Sequence, residues 1–108
     1  MITRIVKMYF KPEQTENFKL LFEEVKDLIA ACEGCEGVKL VQDILVPEIF
    51  FTISYWRTLE NLESYRNSDL FTATWSRTKA MFAGRPEAWS TIAVDSQQSS
   101  VDSGNTTE

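Results

Sequence analysis

The chain has 108 residues, a net charge of −5 and no histidine, so it carries no imidazole base and no imidazole metal ligand. Its length supports one domain, and 44% hydrophobic with 25% charged residues is the balance of an ordinary globule. No cluster of Lys and Arg appears among its eleven basic residues, which argues against sequence-independent nucleic-acid binding.

The start, Met1-Ile2-Thr3-Arg4-Ile5-Val6, lacks the pattern of a secretory signal. No apolar run approaches the roughly eighteen residues of a membrane span. A cytoplasmic location with neither membrane nor nucleic-acid partner is expected. Ile2 to Phe10 reads as a strand, with Ile2, Val6, Met8 and Phe10 on one face and Thr3, Ile5, Lys7 and Tyr9 on the other. Both faces carry apolar residues, so both need cover. Pro12 opens a helix in which Phe18, Leu21, Phe22, Val25, Leu28 and Ile29 recur at helical spacing. Gly34 and Gly37 supply the turn beyond it.

Val38 to Val46 and Ile49 to Arg57 read as two strands of an antiparallel hairpin joined tightly at Pro47-Glu48. In the second of them Phe50, Thr52, Ser54 and Trp56 share one face, and Ile49, Phe51, Ile53 and Tyr55 the other. Thr58 suits the N-cap of a short helix, and Ser68 or Asp69 that of a second bearing Phe71, Trp75, Thr78 and Phe82, stopped by Gly84 and Pro86. Ala88 to Val94 is a final strand. From Asp95 the chain is almost wholly polar, so a domain over 1–94 and a disordered tail over 95–108 are expected. Three of the sixteen acids (Asp95, Asp102, Glu108) lie in that tail. The remaining thirteen against eleven bases leave the domain at −2.

The element order β-α-β-β-α-β, with right-handed crossovers, predicts an α+β ferredoxin-like fold: a four-stranded antiparallel sheet with helices on one face. The helix-free face predicts a homodimer.

Few motifs carry chemistry. Cys32-Glu33-Gly34-Cys35 has CxxC spacing, but it follows a helix C-terminus beside Glu33 and Glu36, where a thiolate is disfavoured. A zinc site would need two further Cys or His ligands. The pair reads as two small residues in a turn. Any Ser or Cys nucleophile would lack a His base. Trp56, Tyr65, Phe71, Trp75, Phe82 and Trp89 are either core or pocket lining. When buried, Trp56 and Tyr65 each need a partner for a polar atom. Arg57, Arg66 and Arg85 read first as surface residues; one pointing inward could meet an anionic oxygen, and Asn61 or Ser54 could donate to it.

Gly34-Cys35 before a strand, Trp56 at the end of one, and Ser68 with Phe71 together resemble the antibiotic biosynthesis monooxygenase family, whose fold is the dimeric α+β barrel. The resemblance runs from about Ile2 to Val94. Where many relatives carry His, this chain has Tyr65 and Leu70. The haem-degrading branch needs a proximal His, so the resemblance does not extend to that activity. It implies a monooxygenase without metal, haem or flavin, acting with O₂ on a small aromatic molecule such as a quinol or anthrone. It further implies a pocket between sheet and helices. There Trp56, Phe71 and Trp75 would hold the substrate, Tyr65 would hydrogen-bond its oxygen, and Arg66 or Asn61 would be the charge partner. The alternative is a module of the same fold that only binds a small ligand or assembles.

Overall fold

The computed structural model describes residues 1–97; of the expected tail, residues 98–108 lie outside the described residues. Its elements are β1 (Ile2–Tyr9), α1 (Thr15–Ala30) entered through a 3₁₀ turn at Pro12–Gln14, β2 (Cys35–Gln42), β3 (Ile49–Trp56), α2 (Leu59–Arg66), α3 (Asp69–Lys79) and β4 (Glu87–Ile92). The sheet order is β2-β3-β1-β4, with every neighbouring pair antiparallel. This is the ferredoxin-like arrangement expected.

The pleat divides the sheet as the alternation predicts. Met8 opposes Phe50 and Val6 opposes Thr52, and these pairs face the helices. Phe10, Phe50, Met8 and Trp56 are almost wholly buried. Phe10 is the hub of an aromatic cluster. It stacks on Phe18 of α1 at 4.2 Å and meets Phe50 edge-on at 5.7 Å. Each such ring contributes about 1.5–3 kcal/mol on burial. Phe18, Leu21, Phe22, Val25 and Ile29 form the buried stripe of α1. Leu28, expected in that stripe, lies on its flank and is 56% exposed.

Several boundaries differ from the sequence reading. β2 starts at Cys35 and ends at Gln42, and the link to β3 is a six-residue loop rather than a tight turn. The Asp43 carboxylate accepts from the Leu45 and Val46 N–H groups and so holds that loop. Its local hydrogen bonds replace ladder pairing that the apolar run Ile44-Leu45-Val46 suggested. α3 ends at Lys79, so Phe82 is not helical. It forms a bridge to Phe10 and packs against it at 5.4 Å, because β4 must be reached by a return across the end of β1. β4 is Glu87–Ile92, one residue earlier at its start and two at its end than expected.

The other sheet face carries no helix. Ile5, Phe51, Ile53 and Trp89 lie there, since Ile5 pairs with both Ile53 and Trp89 across the strands. Trp89 therefore lies on the face opposite the helices and cannot line a pocket beneath them.

One glycine fixes how the helices sit. After α1, the Cys35 N–H donates to the Cys32 carbonyl at 3.0 Å, closing a turn with Gly34 at φ 80°. A type II turn requires positive φ at that position. The Gly34 carbonyl then accepts from the Arg57 N–H at 2.9 Å, and the Asn61 side chain fills the space a Cβ would take. Gly34→Ala should therefore be destabilising by at least about 1–2 kcal/mol from the backbone alone. With the clash added, thermal unfolding should shift down by roughly 5–15 °C. Asn61→Gly in that background should recover the steric part only. An unchanged Tm for Gly34→Ala would show that the turn does not hold this geometry.

Candidate functional site

β3 and β1 supply the floor of a cleft of about 90 Å³ between the sheet and the helices. At roughly 10–15 Å³ per water position, this is space for a handful of waters, and it falls short of the roughly 150 Å³ of an enclosed cavity that takes a benzene ring. Val6, Thr52 and Ser54 lie beneath it, Leu21 and Val25 of α1 form one wall, and Phe71 and Trp75 of α3 form the other. Arg4 and Arg66 are its charged wall groups, and Tyr65, Thr74 and Thr78 are its hydroxyl-bearing ones. No carboxylate among the described residues lines it.

Two caps set the far wall. The Thr58 hydroxyl accepts from the Asn61 N–H at 3.0 Å and starts α2. Ser68 joins α2 to α3: its hydroxyl donates to the Tyr65 carbonyl at 2.6 Å and accepts from the Phe71 N–H at 3.1 Å. A capping hydroxyl is worth about 1 kcal/mol. Here it also fixes the angle between two aromatic side chains. Tyr65 and Phe71 meet edge-on at 5.3 Å, and Phe71 stacks on Trp75 at 5.9 Å.

Trp56 does not line the cleft. It is fully buried, stacks on Tyr65 at 5.0 Å, and donates its indole N–H to the Ser54 hydroxyl at 2.9 Å. Its polar atom is thus satisfied within the protein, and the ring supports Tyr65 from behind. Asn61 also lies outside, in a shallow surface depression beside Glu60, Glu63 and Asn67, with its side chain engaged by the Thr58 hydroxyl. Arg57 pairs with Glu36 on the surface, and Arg85 is exposed. Of the six residues proposed from sequence, Tyr65, Arg66, Phe71 and Trp75 come together around the cleft.

Arg4 was missed. It lies between Ile2 and Val6 on the helix-facing side of β1, opposite Ser54. A charge at an inward position of an otherwise apolar alternation was the available signal. Its guanidinium donates to the Ser90 hydroxyl at 2.9 Å. Burial, and then the Arg66 charge, push its pKa down, while Glu63 opposes them. Arg66 keeps Glu63 at 3.3 Å.

Tyr65 is the other perturbed group. Burial pushes its phenol far above the usual range, and the neighbouring Cys32 and Cys35 thiols act in the same direction. At neutral pH it is therefore a hydrogen-bond donor and not a base. No side-chain hydrogen bond engages its hydroxyl among the described residues, although a buried donor ordinarily finds one. Burial also raises the Cys32 thiol, with Cys35 adding to it, and both cysteines are free thiols. No group of three or more potential metal ligands occurs among the described residues. No helix among them is long and apolar enough to cross a membrane.

A family model described as antibiotic biosynthesis monooxygenase matches residues 1–76. Among solved structures, an antibiotic biosynthesis monooxygenase superposes with a TM-score of 0.81 at 21% identity, over 88% of this chain and 100% of that one. A conserved protein from Methanosarcina mazei Go1 gives 0.79 at 23%, over 84% and 91%. A Deinococcus radiodurans protein provisionally assigned as an antibiotic biosynthesis monooxygenase gives 0.82 at 13%, over 91% and 97%. At these identities the structures establish the fold. No curated protein matches.

The Tyr65 environment has a pH consequence. Its pKa is raised in the folded state, so the stability it contributes is present below the ordinary tyrosine value of about 10 and is lost as pH rises above it. The wild type should lose stability above that pH more steeply than Tyr65→Phe in chemical denaturation. Its phenolate absorbance should appear only with unfolding. Parallel stability curves for the two proteins would remove the buried, neutral phenol from the account.

Proposed function

Because this chain belongs to the antibiotic biosynthesis monooxygenase family, we propose that it is a cofactor-independent monooxygenase of small aromatic molecules, with single-ring quinols as its substrate class. The observation that carries this reading is Tyr65, a buried phenol with no side-chain hydrogen bond among the described residues, in the lining of a largely apolar cleft. An electron-rich phenolate can itself reduce O₂. A quinol and O₂ give a hydroxyquinone and water: the ring supplies four electrons, gains one oxygen atom, and the second oxygen leaves as water. No external reductant is needed.

The protein's part is to bind, orient and exclude water. Tyr65 donates to the substrate oxygen. Phe71 and Trp75 flank the ring, Arg66 stabilises the anion, and Trp56 holds Tyr65 in place from the core. Asn61 has no part, because it lies outside the cleft. A donor aimed at developing negative charge in a dry site is a strong catalytic element. The cleft supplies no carboxylate or imidazole to take a proton. This favours substrates that arrive already ionised, and it also supports the second reading, in which the cleft binds its ligand without turnover.

The helix-free sheet face supports a homodimer. Ile5, Phe51 and Ile53 are only partly covered there, and Trp89 is 45% exposed.

Two measurements test these readings. Oxygen uptake with simple quinols should exceed the spontaneous rate, and Tyr65→Phe should lower kcat/KM by about 10- to 100-fold. Tight quinol binding with no uptake above background would leave the binding reading alone. In solution the wild type should have the mass of a dimer at micromolar concentration, and Trp89→Lys should shift it toward the monomer. A monomeric wild type would exclude the paired-sheet arrangement.

A further inference from the structure

Arg4 is the charge least explained by the fold. It sits on the inward side of β1, where Val6, Met8 and Phe10 supply apolar core or cleft lining. Its hydrogen bond to Ser90 uses one of the five N–H donors a guanidinium carries. No carboxylate lies within ion-pair distance of it among the described residues, whereas Arg57, Arg66 and Arg77 each have one. A second guanidinium, that of Arg66, lines the same cleft. Glu63 partners Arg66 at 3.3 Å and its charge partly offsets the strain on Arg4, but it does not line the cleft. Two cations and no anion therefore border a cleft that is otherwise largely apolar.

Like charges near one another in a partly desolvated site repel, and burial disfavours each further. The depressed pKa of Arg4, caused first by burial and then by Arg66, reports the same conflict. A bound anion would relieve it. The planar guanidinium fork matches a carboxylate in a bidentate pair. The cleft behind the cations is walled by apolar and aromatic side chains, among them Val6, Leu21, Phe71 and Trp75, that suit the body of a ring.

We infer that the cleft selects an aromatic acid, a single ring bearing a carboxylate that Arg4 and Arg66 receive together, and that Arg4 is the specificity-determining residue. This rests on the reading of the cleft as a small-molecule site, and it narrows that reading from neutral quinols to quinols that bear a ring carboxylate, whose ring still supplies the four electrons. The carboxylate end lies at the two arginines. The phenol oxygen remains for the Tyr65 hydroxyl.

The test is a matched pair of probes, 4-hydroxybenzoate and 4-hydroxybenzamide, which share size and shape and differ in charge. Binding to the full chain is followed by calorimetry. The acid should bind roughly 10- to 100-fold more tightly than the amide, the range expected of a charge-assisted pair. The preference should shrink as salt is raised. Arg4→Gln should abolish most of the preference while changing amide affinity far less. Arg4→Lys should retain part of it, since a point charge replaces the fork. Should Arg4→Gln fail to fold, Arg66→Gln, on the exposed helix α2, carries the same comparison. Equal affinity for the two probes, or an acid preference unchanged in these variants, overturns the inference and leaves the cleft a neutral-ligand site. Absence of binding by either probe overturns the inference, while the small-molecule reading stands or falls separately with oxygen uptake on simple quinols.

Discussion

The two-residue alternation of β3 is the constraint on which the rest of the molecule depends. β3 is hydrogen-bonded on both sides, to β2 and to β1, so its register is transmitted across the sheet. It sends Phe50, Thr52, Ser54 and Trp56 toward the helices and Phe51, Ile53 and Tyr55 to the other face. A slip of one residue would exchange the two sets. The first set supplies core, cleft floor and the support of Tyr65. The second supplies the apolar face left without helices. Core, cleft and helix-free apolar face thus follow from one strand whose two faces are both apolar but differ in what covers them.

The cleft exists because the helices do not close over the sheet uniformly. Near Phe10 the packing is dense, with aromatic rings from β1, α1 and β3 in mutual contact. Toward the start of β1 the inward residue is Arg4, and a guanidinium cannot be packed as a ring is. α1 and α3 form the opposing walls, and their distance is held by α3's aromatic residues and by the Arg77–Glu24 pair, which is bidentate at 2.8 and 3.3 Å. That pair is exposed, and such pairs are worth little in stability. Its contribution is to the relative placement of two helices.

Tyr65 and Trp56 divide a task that sequence assigned to both. Both rings are aromatic with a polar atom, and they stack. Trp56 finds its hydrogen-bond partner two residues back on its own strand, at Ser54, and so belongs to the core. Tyr65 finds none among the described residues, and it lines the cleft. Burial that raises its pKa makes it a donor across the ordinary pH range, which suits the stabilisation of a substrate oxygen and not the removal of a proton.

From the sequence by itself came the element order, the sheet faces, the Thr58 cap, the α3 cap to within Ser68 or Asp69, and the family. These are local or periodic properties: alternation at two, recurrence near 3.6, and a hydroxyl before a helix. Tyr65, Arg66, Phe71 and Trp75 were legible as cleft residues through the family resemblance. Tertiary structure alone decided the rest. It moved Trp56 out of the wall, because the partner of an indole N–H depends on a neighbouring rotamer. It placed Asn61 over Gly34 and Trp89 on the far face, and it drew Phe82 out of a helix and onto Phe10. It also made Arg4 a cleft residue, since whether an inward charge is neutralised depends on strands and helices distant in the chain.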